Sequence, residues 1–172
     1  MANTFNPIAK ITVGSGGGSM VFTNIPQTYT DLVLFVSGRT GWTTDTNDQI
    51  RIYLNGNTSS YAHKLLLGTG SSTTDGDGSG TAPGINAQTE TGAMTANVFS
   101  NDFIYIPSYT SSSQKSILHD HVTENNATLS YITLGATRWA NTSPVTSITI
   151  STFRGADWAQ YSSATLYGVK NS

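Results

Sequence analysis

The sequence predicts an all-β fold: a two-sheet antiparallel β-sandwich of jelly-roll type with nine to ten strands. Three observations predict it. Apolar and polar residues alternate along most of the chain, whereas helical periodicity is nearly absent. Turn chemistry recurs at roughly 10–15-residue spacing, as in sandwiches. The composition is that of strands and turns. Together 27 Thr, 21 Ser, 13 Asn and 17 Gly make up 78 of the 172 residues; Thr suits a pleated surface, and Gly, Asn and Ser suit turns. A chain of this length can bury a core without staples. It has no cysteine, so disulfides, Cys-ligated zinc and thiol catalysis are excluded.

Residues 1–14 are expected as an N-terminal arm and first strand, and 15–172 as one sandwich domain. Ile8–Val13 is the first strand, closed by the glycine run Gly16–Gly18. Met20–Asn24 restarts a strand, which Pro26 stops because proline cannot donate to a ladder. Asp31–Gly38 is nearly continuous in apolar residues, so it is expected to be central and buried on both faces. Along Gln49–Asn55, Ile50, Ile52 and Leu54 alternate inward against Arg51 and Tyr53. Asn55-Gly56 is the strongest short hairpin signal, with Tyr61–Leu67 as the return strand. Residues 68–95 hold few core-forming side chains and are expected as one long Gly/Ser/Thr-rich loop. Strands resume at 96–106, 115–123, 127–139 (with a bend at Gly135), 145–151 and 161–169.

Charge narrows the function. Eight basic and ten acidic residues give a net charge of −2, which does not supply the basic face that nucleic acid needs. No basic segment followed by an apolar one marks the N-terminus as a targeting signal. The apolar runs fall far short of the ~20 residues of a membrane span. The chain is therefore expected to be made in the cytosol of whatever cell expresses it, with neither nucleic acid nor membrane as partner.

Chemistry-bearing motifs are sparse. His119-Asp120-His121 puts two imidazoles on one face of a strand, a weak start for a metal site with Glu124 as a conceivable third ligand. His63 is far away in sequence, so no metal is expected, and the pair is expected to be exposed or at a subunit contact. Asp75-Gly76-Asp77-Gly78 lacks the further ligands of a calcium loop. The glycine runs form no phosphate cradle, and no nucleophile elbow is present. Asp45, Asp48, Glu90 and Glu124 are scattered singly in polar loops. The Asn-x-Ser/Thr triplets at Asn57, Asn126 and Asn141 are what a chain of this composition produces by chance. No catalytic residue and no cofactor is expected.

The aromatic residues are more informative. Trp42, Trp139 and Trp158 fall in loops or at strand ends beside polar neighbours, and Arg154 lies in the last loop. Such indoles can stack on a sugar ring. They can equally close the ends of the core or pack in a subunit interface.

Five stretches carry a resemblance: FTNIPQTYTDLVLFVSGR at 22–39, IYLNGNTSSY at 52–61, IYIPSYTSSSQK at 104–115, VTENNAT at 122–128 and YSSATLYG at 161–168. As an ordered set they resemble small virion structural proteins of tailed bacteriophages, over nearly the whole chain from Phe5. The resemblance implies a virion component without enzyme activity, of jelly-roll type, that oligomerises. Its first implied role is a head decoration (cement) protein, a homotrimer bound to the major capsid protein or other virion proteins. Its second is a tail-fibre or baseplate tip that binds host surface glycans through Trp42, Trp139, Trp158 and Arg154. The polar N-terminus, with Phe5 and Ile8 as apolar anchors, is a candidate arm for a partner, and the 68–95 loop is a second candidate contact.

Overall fold

The structure, a computed structural model, describes residues 4–46, 48–69, 72–82, 84–124 and 130–170. Among them there are strands and no helix. The strands are β1 (Phe5–Thr12), β2 (Met20–Phe22), β3 (Asp31–Ser37), β4 (Asp48–Leu54), β5 (Tyr61–Thr69), β6 (Ser72–Ala82), β7 (Ile85–Thr89), β8 (Asn101–Ile106), β9 (Lys115–Glu124), β10 (Ser130–Trp139), β11 (Ile148–Thr152) and β12 (Ser163–Val169).

They form a β-sandwich. One sheet has eight strands in the order β1-β12-β3-β8-β9-β10-β5-β6; the other has four in the order β2-β11-β4-β7. Every ladder is antiparallel. The half-sheet β1-β12-β3-β8 belongs with the small sheet: along the chain these eight strands cross between sheets as in a jelly roll. Two hairpins are added to that frame. β5–β6 is inserted between β4 and β7, and β9–β10 between β8 and β11. Together they extend the large sheet by four strands.

The core lies between the two sheets. Leu32, Leu34 and Val36 of β3 meet Ile50, Ile52 and Leu54 of β4 in one apolar cluster, all buried. β3 is central, hydrogen-bonded to β12 and β8. Leu32, Val33 and Leu34 are buried in succession, as a two-sided strand requires, but Phe35 opens to the outer face. Arg51 points outward from β4 as expected. It is nevertheless buried, its guanidinium 4.3 Å from the Phe153 ring centre.

Three expectations need correcting. The 68–95 stretch carries β6 and β7, which raises the strand count among the described residues to twelve. Backbone pairing with β5 and β4 supplies order there, a term that side-chain composition does not reveal. Ile85 anchors β7 in the core.

Asn55-Gly56 forms its turn, with φ of 53° and 66°, and the Asn57 N–H donates to the Leu54 carbonyl at 3.0 Å. It does not join a hairpin, because β4 and β5 lie in different sheets. Asn55 Oδ1 accepts from the Thr146 and Ser147 N–H groups at 2.8 and 3.1 Å, which ties the turn to the segment before β11. The chain then crosses to the other sheet, where Tyr61 stacks on Trp139 in the core, centroids 6.1 Å apart.

The N-terminal residues from Phe5 are not a free arm. β1 is an edge strand paired with β12, with a bulge around Ile8. Ile8 and Ile11 pack against the core, so Ile8 is used within the chain's own fold, whereas Phe5 is exposed.

The Tyr61–Trp139 stack holds the crossing between sheets. The Leu54 N–H donates to Tyr61 Oη at 2.9 Å in a buried site. Tyr61→Phe is therefore expected to lower unfolding stability by about 1–3 kcal/mol, and Trp139→Ala by about 3–5 kcal/mol, read from urea denaturation midpoints.

Candidate functional site

The extension of the large sheet is patterned inside out. In β9 burial alternates strictly. Its inward residues are Lys115, Ile117, His119, His121 and Thr123, and its outward ones include Leu118 and Val122. In β10, Thr133, Gly135, Thr137 and Trp139 are buried, whereas Ile132, Leu134 and Ala136 are exposed. The inward face packs toward β7. Most of its side chains are polar, and most of the apolar ones point to solvent. Both features follow from the sequence with its period of two, but with the opposite assignment of faces to the usual one.

The inward face holds one continuous chain of hydrogen bonds. Thr137 Oγ1 lies 2.9 Å from His119 Nε2, His119 Nδ1 2.8 Å from His121 Nε2, and His121 Nδ1 3.0 Å from Asp102 Oδ1. Ser100 Oγ donates to Asp102 Oδ2 at 2.9 Å and accepts from the Gly38 N–H at 3.3 Å. The distances satisfy every ring nitrogen when Thr137 donates to His119, His119 to His121, and His121 to Asp102. All five side chains are essentially without solvent exposure.

Burial above all, then His121 and His63, holds the His119 imidazole down to about 3. Burial pushes the Asp102 carboxyl up, against the opposing pull of His121 and Ser100.

His119 and His121 do share a face. They are buried, however, and neither exposed nor free to ligate: one hydrogen bond joins the nitrogens that a metal would bridge. Glu124 is on the opposite, exposed face. His63, far off in sequence, stands across the ladder from Thr137 and adds to the field at His119. Among the described residues no three His, Cys, Asp or Glu side chains are placed to hold a metal. The side chains of the Asp75–Gly78 motif lie outside the described set. The order carboxylate–imidazole–imidazole–hydroxyl is that of a proton relay, but Thr137 is buried beyond the reach of a substrate. An imidazole held near 3 takes no proton at neutral pH. These hydrogen bonds tie β8, β9 and β10 together across the ladder.

Gly135 is needed for this packing, not for a bend, since β10 runs unbroken. A Cβ at Gly135 would lie 2.1 Å from the His119 ring.

Two of the isolated acids are also buried, Asp48 and Glu90. Glu90 accepts from the Glu124 N–H at 2.6 Å, and burial raises its carboxyl. Arg39, which desolvation pulls down and Glu90 pushes back up, donates to the carbonyls of Met94, Thr95 and Val98 at 2.9, 2.7 and 3.1 Å. Lys115 is buried too, its Nζ donating to the carbonyls of Ser111 and Ser113. Sequence reasoning missed these roles. The only available signal was that Lys115 takes the inward phase of the β9 alternation.

The aromatic candidates separate. Trp139 and Trp158 are core residues at 0% and 1% exposure. The space beside Gly38 is so tight that a Cβ there would meet the Trp158 ring at 2.8 Å. Trp42 is half-buried; its Nε1–H donates to Asp45 at 3.3 Å, and Arg154 lies 5.2 Å from its ring and 3.2 Å from Asp45. Phe5 is exposed on the outer face of the large sheet, edge-on to Tyr167.

That outer face is the open surface of interest. Its side chains run across the strands in register: Phe35–Phe103–Asp120–Leu134–Leu66 in one row, Tyr105–Leu118–Ala136–Lys64 in the next, and Val122–Ile132 in a third. Leu66, Leu118, Ile132, Leu134 and Val122 are 44–57% exposed, and Phe35 is 41% exposed. Around the small Ala136, with Leu118, Leu134, Leu66 and Lys64 as its rim, lies a shallow groove of about 420 Å³.

Two outcomes are expected from the buried chain. An unfolded His119 binds a proton below about pH 6.5, whereas the folded one does so only near 3. Its contribution to stability is complete above pH 6.5 and is lost as the pH falls toward 3, at up to about 1.4 kcal/mol per pH unit. Asp102, raised in the fold, takes up its proton before the unfolded chain does and offsets part of that loss. The urea midpoint is expected to fall from pH 7 to pH 5 in the wild type and to change less over that range in His119→Gln. Gly135→Ala is expected to cost about 1–3 kcal/mol by overpacking, read from thermal melts at neutral pH. Comparison of the chain with protein-family models, with curated proteins and with solved structures returned no match.

Proposed function

We propose that this chain is a non-catalytic structural protein of a tailed-phage particle, a head decoration protein that binds the assembled capsid and stabilises it. The observation that carries this reading is the open apolar outer face of the eight-stranded sheet. A contiguous apolar patch on a sheet face marks an association surface, and here it is set on a scaffold that buries Asp48, Glu90, Asp102, His119 and His121. The resemblance of the five sequence stretches to virion proteins supplies the setting. The near-neutral, hydroxyl-rich composition suits a protein held at high local density by partners.

The mechanism is linkage. A protein that binds the assembled shell and not its free subunits stabilises the shell by its binding free energy, about 2.7 kcal/mol per site at a hundred times Kd. The glycan-binding alternative loses two of its three indoles to the core, and Arg154 already lies over the third.

Quantitative mass spectrometry of purified particles tests the reading. The expected result is a copy number close to that of the major capsid protein or to a third of it, together with cosedimentation with assembled shells and not with free capsid subunits. A few copies per particle would assign it to the tail, and none would overturn the proposal.

A further inference from the structure

We infer that the outer face of the sheet extension pairs face to face with a second copy of this chain, about a two-fold axis that lies in the interface over β10, between Leu134 and Ala136, and runs at right angles to the line from Asp120 to Lys64. The inference rests on that face being an association surface, as proposed above, and not on the particle.

Three features point to a second copy. The first is shape. The groove around Ala136 is a hole rimmed by half-exposed leucines, Leu66, Leu118 and Leu134. Holes and knobs are thus on the same surface, which is what an isologous contact needs. Rotation about an axis beside Ala136 brings a leucine of each copy over the other's hole.

The second feature is charge. Asp120 is exposed in the middle of the aliphatic rows, two strands from Lys64 and on the other side of the same axis. The two-fold sets Asp120 of each copy toward Lys64 of the other, so this carboxylate gains a cation. Lys64 also interacts within its own chain, and an ammonium has three N–H donors to share. A face covered by a lipid surface or by a purely apolar partner would gain nothing from Asp120 and would have to desolvate it without compensation.

The third is area. Five aliphatic side chains and Phe35, each about half open, present on the order of 500 Å² of apolar surface. That matches the apolar share of a standard interface of about 800 Å² per partner. Two sheets packed face to face is also an ordinary way for sheets to bury such surface.

Sedimentation equilibrium of the full chain tests the pairing over a wide concentration range, with thermal melts to check each fold. The wild type is expected at twice the 18.2 kDa chain mass, and Leu134→Arg is expected to be monomeric with an unchanged melt. Asp120→Lys and Lys64→Asp are each expected to weaken the dimer about tenfold or more. The double variant, which restores opposite charges across the axis, is expected to return to within about threefold of the wild type.

A wild type that is monomeric at every concentration overturns the pairing, and so does a trimer, or a double variant as weak as the single ones. If the monomer is still present in stoichiometric number on particles, the decoration function stands without the pairing. A dimer that is absent from particles leaves the pairing and removes the decoration function.

Discussion

A buried carboxylate has to be answered, and much of this molecule is arranged around the answer to Asp102. His121 and Ser100 answer it with hydrogen bonds. The other nitrogen of His121 is buried and needs a partner of its own, which His119, two residues before it on the same face, supplies. His119 in turn needs Thr137 on the next strand, and the room left by Gly135. A single desolvated charge thereby specifies residues on three strands. Each hydrogen bond is modest in net energy, but leaving any one group unmade in the interior is costly. The polar interior of the extension is thus a single cooperative unit.

That arrangement explains why the surface looks as it does. Alternation along a strand is strict, so residues that place histidines and threonines inward must send the intervening positions outward. In β9 and β10 those positions include Leu118, Val122, Ile132 and Leu134. The core between β1-β12-β3-β8 and the small sheet obeys the familiar rule, apolar within. The extension reverses it, so one continuous sheet carries a conventional half and an inverted half. Phe35 and Phe103, 5.5 Å apart, lie where the two halves meet.

The two-sheet sandwich was legible because alternation and turn residues are local signals. The Asn55-Gly56 turn formed with the backbone its residues demand. The path of the chain beyond that turn was not legible, since the choice between pairing with β4 and crossing to the other sheet is made by Tyr61 against Trp139, residues 78 positions apart in sequence. β6 and β7 were hidden for a related reason: main-chain pairing needs a partner strand and no particular side chain. The histidine pair was found on the right face and given the wrong environment, because periodicity gives phase and not which phase is covered. The tryptophans were ambiguous on the same ground. An indole beside polar neighbours in the sequence reads alike whether it ends in the core, as Trp158 does, or near the surface, as Trp42 does.

The inverted hairpin also has a consequence for how this chain avoids misfolding. Sliding β9 by a single residue would exchange its two faces and bury Leu118 and Val122, which on hydrophobic grounds alone is the better arrangement. A slip would leave the Asp102 carboxylate facing Asp120 or Val122 where it now meets an imidazole. The histidines thus act as a lock against an alternative that greasy side chains would otherwise favour. Sequences drifting toward apolar residues at 119 and 121 would gain burial and lose the reason for one alignment over the other. Uniqueness of the fold, more than its depth in free energy, is what the polar interior secures.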